Sequence, residues 1–383
     1  MKKLPELNSS AHLQKIDMLR AIAIIAVFLF HAINCLFPSY AVKTYTAAHT
    51  LDLAGTKNYI LNFNPIAFGW SGVQLFLLIS GFLIHLGYLR NKEAFSVSTF
   101  YSKRFWRIYP PYFIVLLFFC IFKRGLVYYF FTKEGLVDFF SHAFLVHNFS
   151  DTTILTIDGP FWSLALEMQL YLIYPLLLYL RNKTGMNKTF MWIVALSLVL
   201  QVVGIITNNF GTVNSYDWSV FKMWFVWAAG ALLAERYYNK QTLFNNRGLV
   251  YSLLFFVVLT VSKYYSFANY FQYYFATAMW LAFFEWFILS EKIKVTNWLA
   301  RCFVTIGLCS YSIYLIHLPF LRELMGVFNL THYSVHSGIV KYLNILPKPL
   351  FAFLIVFLIS YSMYVFIEQK SIAFGKRLRE RKG

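Results

Sequence analysis

The chain has 383 residues, of which 59% are hydrophobic and only 13% charged, against roughly 25% charged in ordinary soluble domains. Its formal charge of +18 comes from Lys and Arg grouped in short segments between long apolar blocks, which excludes a nucleic-acid-binding protein and points to a polytopic membrane protein. No polar, Gly/Ser-rich or Pro-rich stretch is long enough to form a second domain. Residues 1–383 therefore read as one all-α transmembrane domain with short cytoplasmic tails at 1–17 and 369–383.

Ten apolar blocks of near-bilayer length fall at 18–37, 68–89, 105–122, 161–180, 189–207, 219–235, 249–262, 268–289, 303–321 and 350–368, the seventh being short. Lys2 and Lys3 precede the first block, which runs on through His31 to Phe37 without a small-residue cleavage site. It reads as an uncleaved first span rather than a secretory signal. The stretch 136–149 is also apolar, but His142, His147 and Asn148 interrupt it, so a re-entrant or interfacial segment is expected there. Of the 34 Lys and Arg, roughly two thirds fall on one side of a ten-span layout, including Arg90, Lys92, Lys103, Arg104 and the tail residues Lys376, Arg377 and Arg379. That bias puts both termini in the cytoplasm. Cys35, Cys120, Cys302 and Cys309 lie in or beside apolar blocks without metal-type or paired spacing, so inert thiols and no metal site are expected. The sequence shows no internal repeat of the kind many transporters carry.

Ionisable residues inside spans are costly and are the first functional candidates. In the first block, Arg20 and His31 are eleven residues apart, so they share a helix face about 16 Å apart along the axis. A snorkelling Arg20 paired with Asp17 and a His31 satisfied by a neighbouring helix are the bland readings. The shared face favours function. The third block opens on Lys103-Arg104-Phe105-Trp106-Arg107-Ile108-Tyr109-Pro110-Pro111, where Arg104 and Arg107 point the same way. Ordinary basic anchoring explains that pair, and so does a polyanion held by bidentate guanidinium contacts. Glu167, in Gly159-Pro160-Phe161-Trp162-Ser163-Leu164-Ala165-Leu166-Glu167, lies about seven residues inside its span, near the inferred depth of His31. The two are expected to pair as base and orienter. His317 sits near the outer end of the ninth block, a place that suits a hydrated, idle histidine as well as a functional one. Ser80-Gly81 most simply permits close helix packing. His12, His49, His332 and His336 read as loop residues without a role.

These segments together resemble the acyltransferase 3 family of membrane-bound acyltransferases, from Ile16 to about Lys376. The likeness rests on Ile16-Asp17-Met18-Leu19-Arg20-Ala21 with His31 eleven positions after Arg20, and on the FLLISGFLI stretch at 76–84. It also rests on Arg104-x-x-Arg107-Ile-Tyr-Pro, on Trp162-Ser163-Leu164 leading to Glu167 and Tyr171, on Ser310-Tyr311-Ser312 leading to His317, and on Phe366-Ile367-Glu368. Met18 and Met168 depart from the residues frequent at those places, a Gly and a second acid. The resemblance implies transfer of an acyl group, commonly acetyl, from acyl-CoA to a hydroxyl of a cell-surface or lipid-linked carbohydrate, in the cell's inner membrane. It implies His31 as the catalytic histidine, with Arg20, Arg104 and Arg107 on the donor side. Glu167 is expected as a second catalytic residue, Ser80 on the donor side, and Trp162, Tyr311 and His317 on the acceptor side. Acyl-CoA is expected as a co-substrate, with no permanently bound cofactor. Some relatives carry an additional extracytoplasmic domain, so this chain is expected to act alone or with a separate partner protein. A glycan transporter or flippase is the alternative class, since it too would line a pathway with intramembrane Arg, His and Glu. A glycan polymerase is disfavoured by outer loops of about thirty residues at most.

Overall fold

The computed structural model describes residues 10–36, 65–92, 95–207, 214–262, 265–327 and 347–381, and every regular element among them is a helix. The loop residues His49, His332 and His336 and the basic residues Lys2, Lys3, Lys43, Lys57, Lys263, Lys341 and Lys382 lie outside the described residues, as does the side chain of His12. In chain order the helices are α1 (Ser10–Leu36), α2 (Gly72–Arg90, entered through a 3-10 turn at Pro65–Ser71), α3 (Val97–Lys123), α4 (Gly125–Phe131) and α5 (Lys133–Ala143). They continue with α6 (Phe161–Leu172), α7 (Tyr174–Thr184), α8 (Met186–Ile206), α9 (Val220–Tyr238) and α10 (Gly248–Ser262). The last are α11 (Gln272–Leu289), α12 (Trp298–Leu308), α13 (Ser310–Val327), α14 (Pro347–Met363) and α15 (Gln369–Glu380).

Each apolar block of the sequence lies on a helix or a bent helix pair. Among the described residues, four helices are long and apolar enough to cross a membrane: Ile66–Arg90, Val97–Lys123, Met186–Ile206 and the continuous Pro347–Glu380. The bent pairs α6/α7 and α12/α13 raise the number to six. α9 is diluted by Lys222, Glu235 and Arg236, and α10 has only 15 residues. The chain is a multi-pass, all-helical membrane protein.

Three local features differ from unbroken spans. The 161–180 block bends by 46° between α6 and α7, because Pro175 has no N–H to give the Tyr171 carbonyl. The 303–321 block turns by 77° at Cys309, which lets α12 lie along α1 while α13 packs between α1 and α14. Gly307 makes that approach possible, since a Cβ there would overlap the Asp17 carbonyl. The tail expected from 369 onward is helical to Glu380 and leans on α3. There Ser371 Oγ donates to the Trp106 carbonyl and Gly375 lies against the Trp106 ring. The stretch 136–149 is not a span either. α5 has eleven residues, starts at a Thr132 cap that accepts from the Gly135 N–H at 3.0 Å, exposes Leu136, Val137 and Phe140, and buries Asp138, Phe139 and His142. It is a short amphipathic helix whose exposed positions from Leu136 onward are apolar.

In lipid, helices gain little from leaving water and associate through close packing and polar contacts. A tight crossing joins α2 to α9, where Gly81 faces the Trp227 carbonyl and Gly230 faces the Leu78 carbonyl, with no room for a Cβ at either. The close packing expected of Ser80-Gly81 is therefore present. Gly81→Val or Gly230→Val is expected to cost more than about 2 kcal/mol through overpacking, read as a lowered unfolding midpoint in detergent. Gly87, also on α2, has nothing within 4 Å of its would-be Cβ. Gly87→Ala should match or exceed wild type, because Ala is the better helix former.

Candidate active site

α1 carries two polar groups three turns apart. At one end Arg20 donates to Asp17 Oδ1 at 2.8 Å, one turn back along its own helix. Arg107 of α3 and Glu368 are its further charged neighbours. Glu368 closes a π-helical turn, Tyr364–Glu368, between α14 and α15, is 2% exposed, and accepts from Ser312 Oγ of α13 at 3.0 Å. Arg107 is bracketed by Asp17 and Glu368 and makes no hydrogen bond to the described residues. Two guanidinium groups between two carboxylates form a cradle whose Arg107 donors remain available to an anion.

The middle layer is a relay. Trp227 Nε1 donates to Ser80 Oγ at 3.3 Å, Ser80 and Tyr171 hydroxyls lie 3.0 Å apart, and Tyr171 donates to Glu167 Oε1. Tyr171 has one proton, so Ser80 must give its own to the Tyr171 oxygen. Arg104 lies 5.9 Å from the Tyr171 ring centre and 6.0 Å from that of Phe100, with its Nε buried and unpartnered. Tyr311 Oη donates to the Ile108 carbonyl at 2.7 Å and thereby ties α13 to the arginine-bearing helix α3.

At the other end of α1 the His31 ring lies 5.2 Å from that of His317, tilted by 48°. His317 is fully buried. Its Nδ1 donates to the Tyr314 carbonyl at 2.8 Å, which fixes the tautomer and leaves Nε2 as an acceptor without a partner. The Tyr314 hydroxyl is 2.6 Å from Ser163 Oγ and 3.3 Å from the Pro160 carbonyl, so the start of α6 holds α13 in place.

The structure thus joins Arg20, Arg107 and Glu368 into one group, Ser80, Glu167 and Arg104 into a second, and His31 and His317 into a third. It does not bring Glu167 to His31. Glu167 faces the Tyr171 and Arg104 side, and the neighbour of His31 is His317. Trp162 stacks on Trp218 at 4.0 Å instead of joining these groups. Glu368, Tyr171 and Ser312 were present in the quoted motifs without a role. An acid inside the last apolar block was the available signal for Glu368. His85 was overlooked: it is fully buried on α2, with Nε2 3.0 Å from Glu235, which also accepts from Arg181 Nε at 2.6 Å. Among the described residues no group of His, Cys, Asp or Glu is arranged to hold a metal.

α1 carries Arg20 of the guanidinium cradle at one end and His31 of the histidine pair at the other, with Arg107 supplied by α3 and His317 by α13, an arrangement suited to group transfer within a membrane helix bundle. The acyltransferase-domain profile of the acyltransferase 3 family matches residues 13–365. The chain belongs to that family. It is 24% identical over 365 residues to the peptidoglycan O-acetyltransferase OatA of Listeria monocytogenes, covering 87% of this chain and 53% of that protein. Nodulation protein 10 of Rhizobium leguminosarum bv. viciae is 29% identical over 189 residues, 45% of this chain and 46% of that protein. An uncharacterised protein of Haemophilus influenzae is 30% identical over 152 residues, 36% of this chain and 62% of that protein. The chain spans about half the length of the curated relatives it matches. No solved structure matches it.

Proposed function

We propose that the protein is an O-acyltransferase that moves an acyl group, expected to be acetyl, from acyl-CoA to a hydroxyl of a cell-surface or lipid-linked carbohydrate. The observation that carries this reading is the pairing of His31 with His317 at one end of α1 and the anion cradle of Arg20 and Arg107 at the other. Membership of an acyltransferase family supports it, as does similarity to a peptidoglycan O-acetyltransferase. CoA carries phosphates at one end and a thioester at the other, which fits two polar ends on one helix. Arg107 and Arg20 hold the phosphates, and Arg104 with the Ser80–Tyr171–Glu167 relay lies between. His31 takes the acceptor's proton as the hydroxyl oxygen attacks the thioester carbonyl. The acyl–sulfur bond breaks, the acyl–oxygen bond forms, and the CoA thiolate receives a proton. A neutral imidazole suits this at pH 7.

Ten spans with both termini in the cytoplasm of the inner membrane are part of the same proposal, supported by the Lys/Arg bias. That orientation puts the Arg20 end inside and the His31 end outside, so the donor arrives from the cytoplasm and the acceptor from the outer side. Sealed vesicles of known orientation test this, with acyl-CoA on the cytoplasmic face and a membrane-impermeant acceptor on one side at a time. Transfer is expected only to acceptor on the outer side. Transfer to acceptor supplied on the cytoplasmic face alone would reject the two-sided arrangement and leave the acyltransferase reading in place.

A further inference from the structure

Beyond the histidine pair, the segment that leads into α6 is clamped against α13. Tyr314 Oη donates to the Pro160 carbonyl at 3.3 Å, Gly159 sits 3.4 Å (from its would-be Cβ) above Leu318, and Lys123 at the end of α3 donates to the Ile157 carbonyl. Between these clamps lies Asp158, which is 1% exposed and whose carboxylate oxygens have no side-chain hydrogen-bond partner, with the Gly159 backbone N–H beside them. Its charged neighbours are Lys123 and Arg322. Arg322, five residues after His317 on α13, is also a charged neighbour of His31, His317 and the Cys35 thiol of α1. Asn34 stands one turn beyond His31 on α1, and both polar atoms of its side chain are buried without partners. The His317 Nε2 is unpartnered as well.

Buried polar atoms without partners are costly and few in native proteins. Here they belong to three side chains from three elements, and Arg322 links their surroundings to His31. We propose that Asp158, with Asn34 and Arg322, forms the subsite that receives the acceptor, and that the acceptor is a polyol, a sugar with neighbouring hydroxyls. One hydroxyl bonds Asp158 while the next is presented to His31. This rests on the acyltransferase reading. Burial pushes the Asp158 carboxyl up to about 8, with Lys123 and Arg322 pulling the other way. Either protonation state can bind a hydroxyl, which both donates and accepts. Asp158 acts here as a positioning residue that sets which nucleophile reaches the acyl group, a sugar hydroxyl or water.

The test is the partition of label from radiolabelled acetyl-CoA. The purified full chain in proteoliposomes is supplied with total cell-envelope carbohydrate from cells lacking the gene. Alkali-labile label on carbohydrate is divided by free acetate. Asp158→Ala is expected to lower this ratio at least tenfold, and Asp158→Asn, which keeps part of the hydrogen bonding, by less. A ratio equal to wild type in Asp158→Ala overturns the subsite, even if both products fall together, because a fold defect lowers both alike. If the wild-type protein places no label on carbohydrate at all, the acyltransferase reading on this acceptor class fails, and the subsite with it.

Discussion

Replacing His31 by alanine is expected to lower turnover by roughly two to four orders of magnitude, the usual contribution of a positioned general base. Protein level and acyl-CoA affinity should stay near wild type, since the guanidinium cradle lies three helical turns away on α1. His317→Gln tests the partner's role: Gln can still donate to the Tyr314 carbonyl but cannot share an imidazole's proton chemistry. A smaller loss, with a changed pH profile of kcat, is expected there. Wild-type turnover in His31→Ala, measured on purified protein with labelled acyl-CoA, would sink the assignment of the base.

The second large effect concerns Arg107. Its guanidinium is bracketed by Asp17 and Glu368 yet makes no hydrogen bond to the described residues, so its donors are available to a phosphate. A hydrogen bond to a charged group contributes about 1.5–3 kcal/mol, so Arg107→Ala is expected to weaken acyl-CoA binding by roughly tenfold to a hundredfold. Arg107→Lys should recover only part of this, because an ammonium cannot make the bidentate contact. Calorimetry on the two variants reads the difference directly. Unchanged affinity in both would remove Arg107 from the donor site.

Much of this arrangement was legible in the sequence, for definite reasons. Helix periodicity put Arg20 and His31 on one face and Arg104 beside Arg107, and local geometry of that kind survives any tertiary arrangement. Gly81 announced a close crossing, and the α2–α9 contact provides it. Azimuth between helices was not legible. Glu167 stood out as an acid inside an apolar block, but nothing local says which neighbour a carboxylate faces, and it turned to Tyr171. His317 looked as much like a wetted end-of-helix residue as a buried one. The 77° turn at Cys309 and the packing of Tyr314 on Pro160 bury it. Cys309 itself is neither Pro nor Gly, and Gly307 two residues before it reads equally as a packing glycine within a straight span. The turn exists because α12 follows α1, an interaction visible only in three dimensions.

The π-helical turn at Tyr364–Glu368 works as a phase shift in the last helix. A π turn takes up an extra residue relative to an α turn, so everything after it is rotated against the pattern set by α14. That rotation brings Ser371 and Gly375, the buried positions of α15, into line with Ala352, Val356 and Ser360, the buried positions of α14. The same offset turns Glu368 toward Ser312 and carries Ser371 and Gly375 round to meet Trp106 of α3. One helix thereby serves two partners, the His317-bearing helix above the offset and the arginine-bearing helix below it, with Glu368 at the junction.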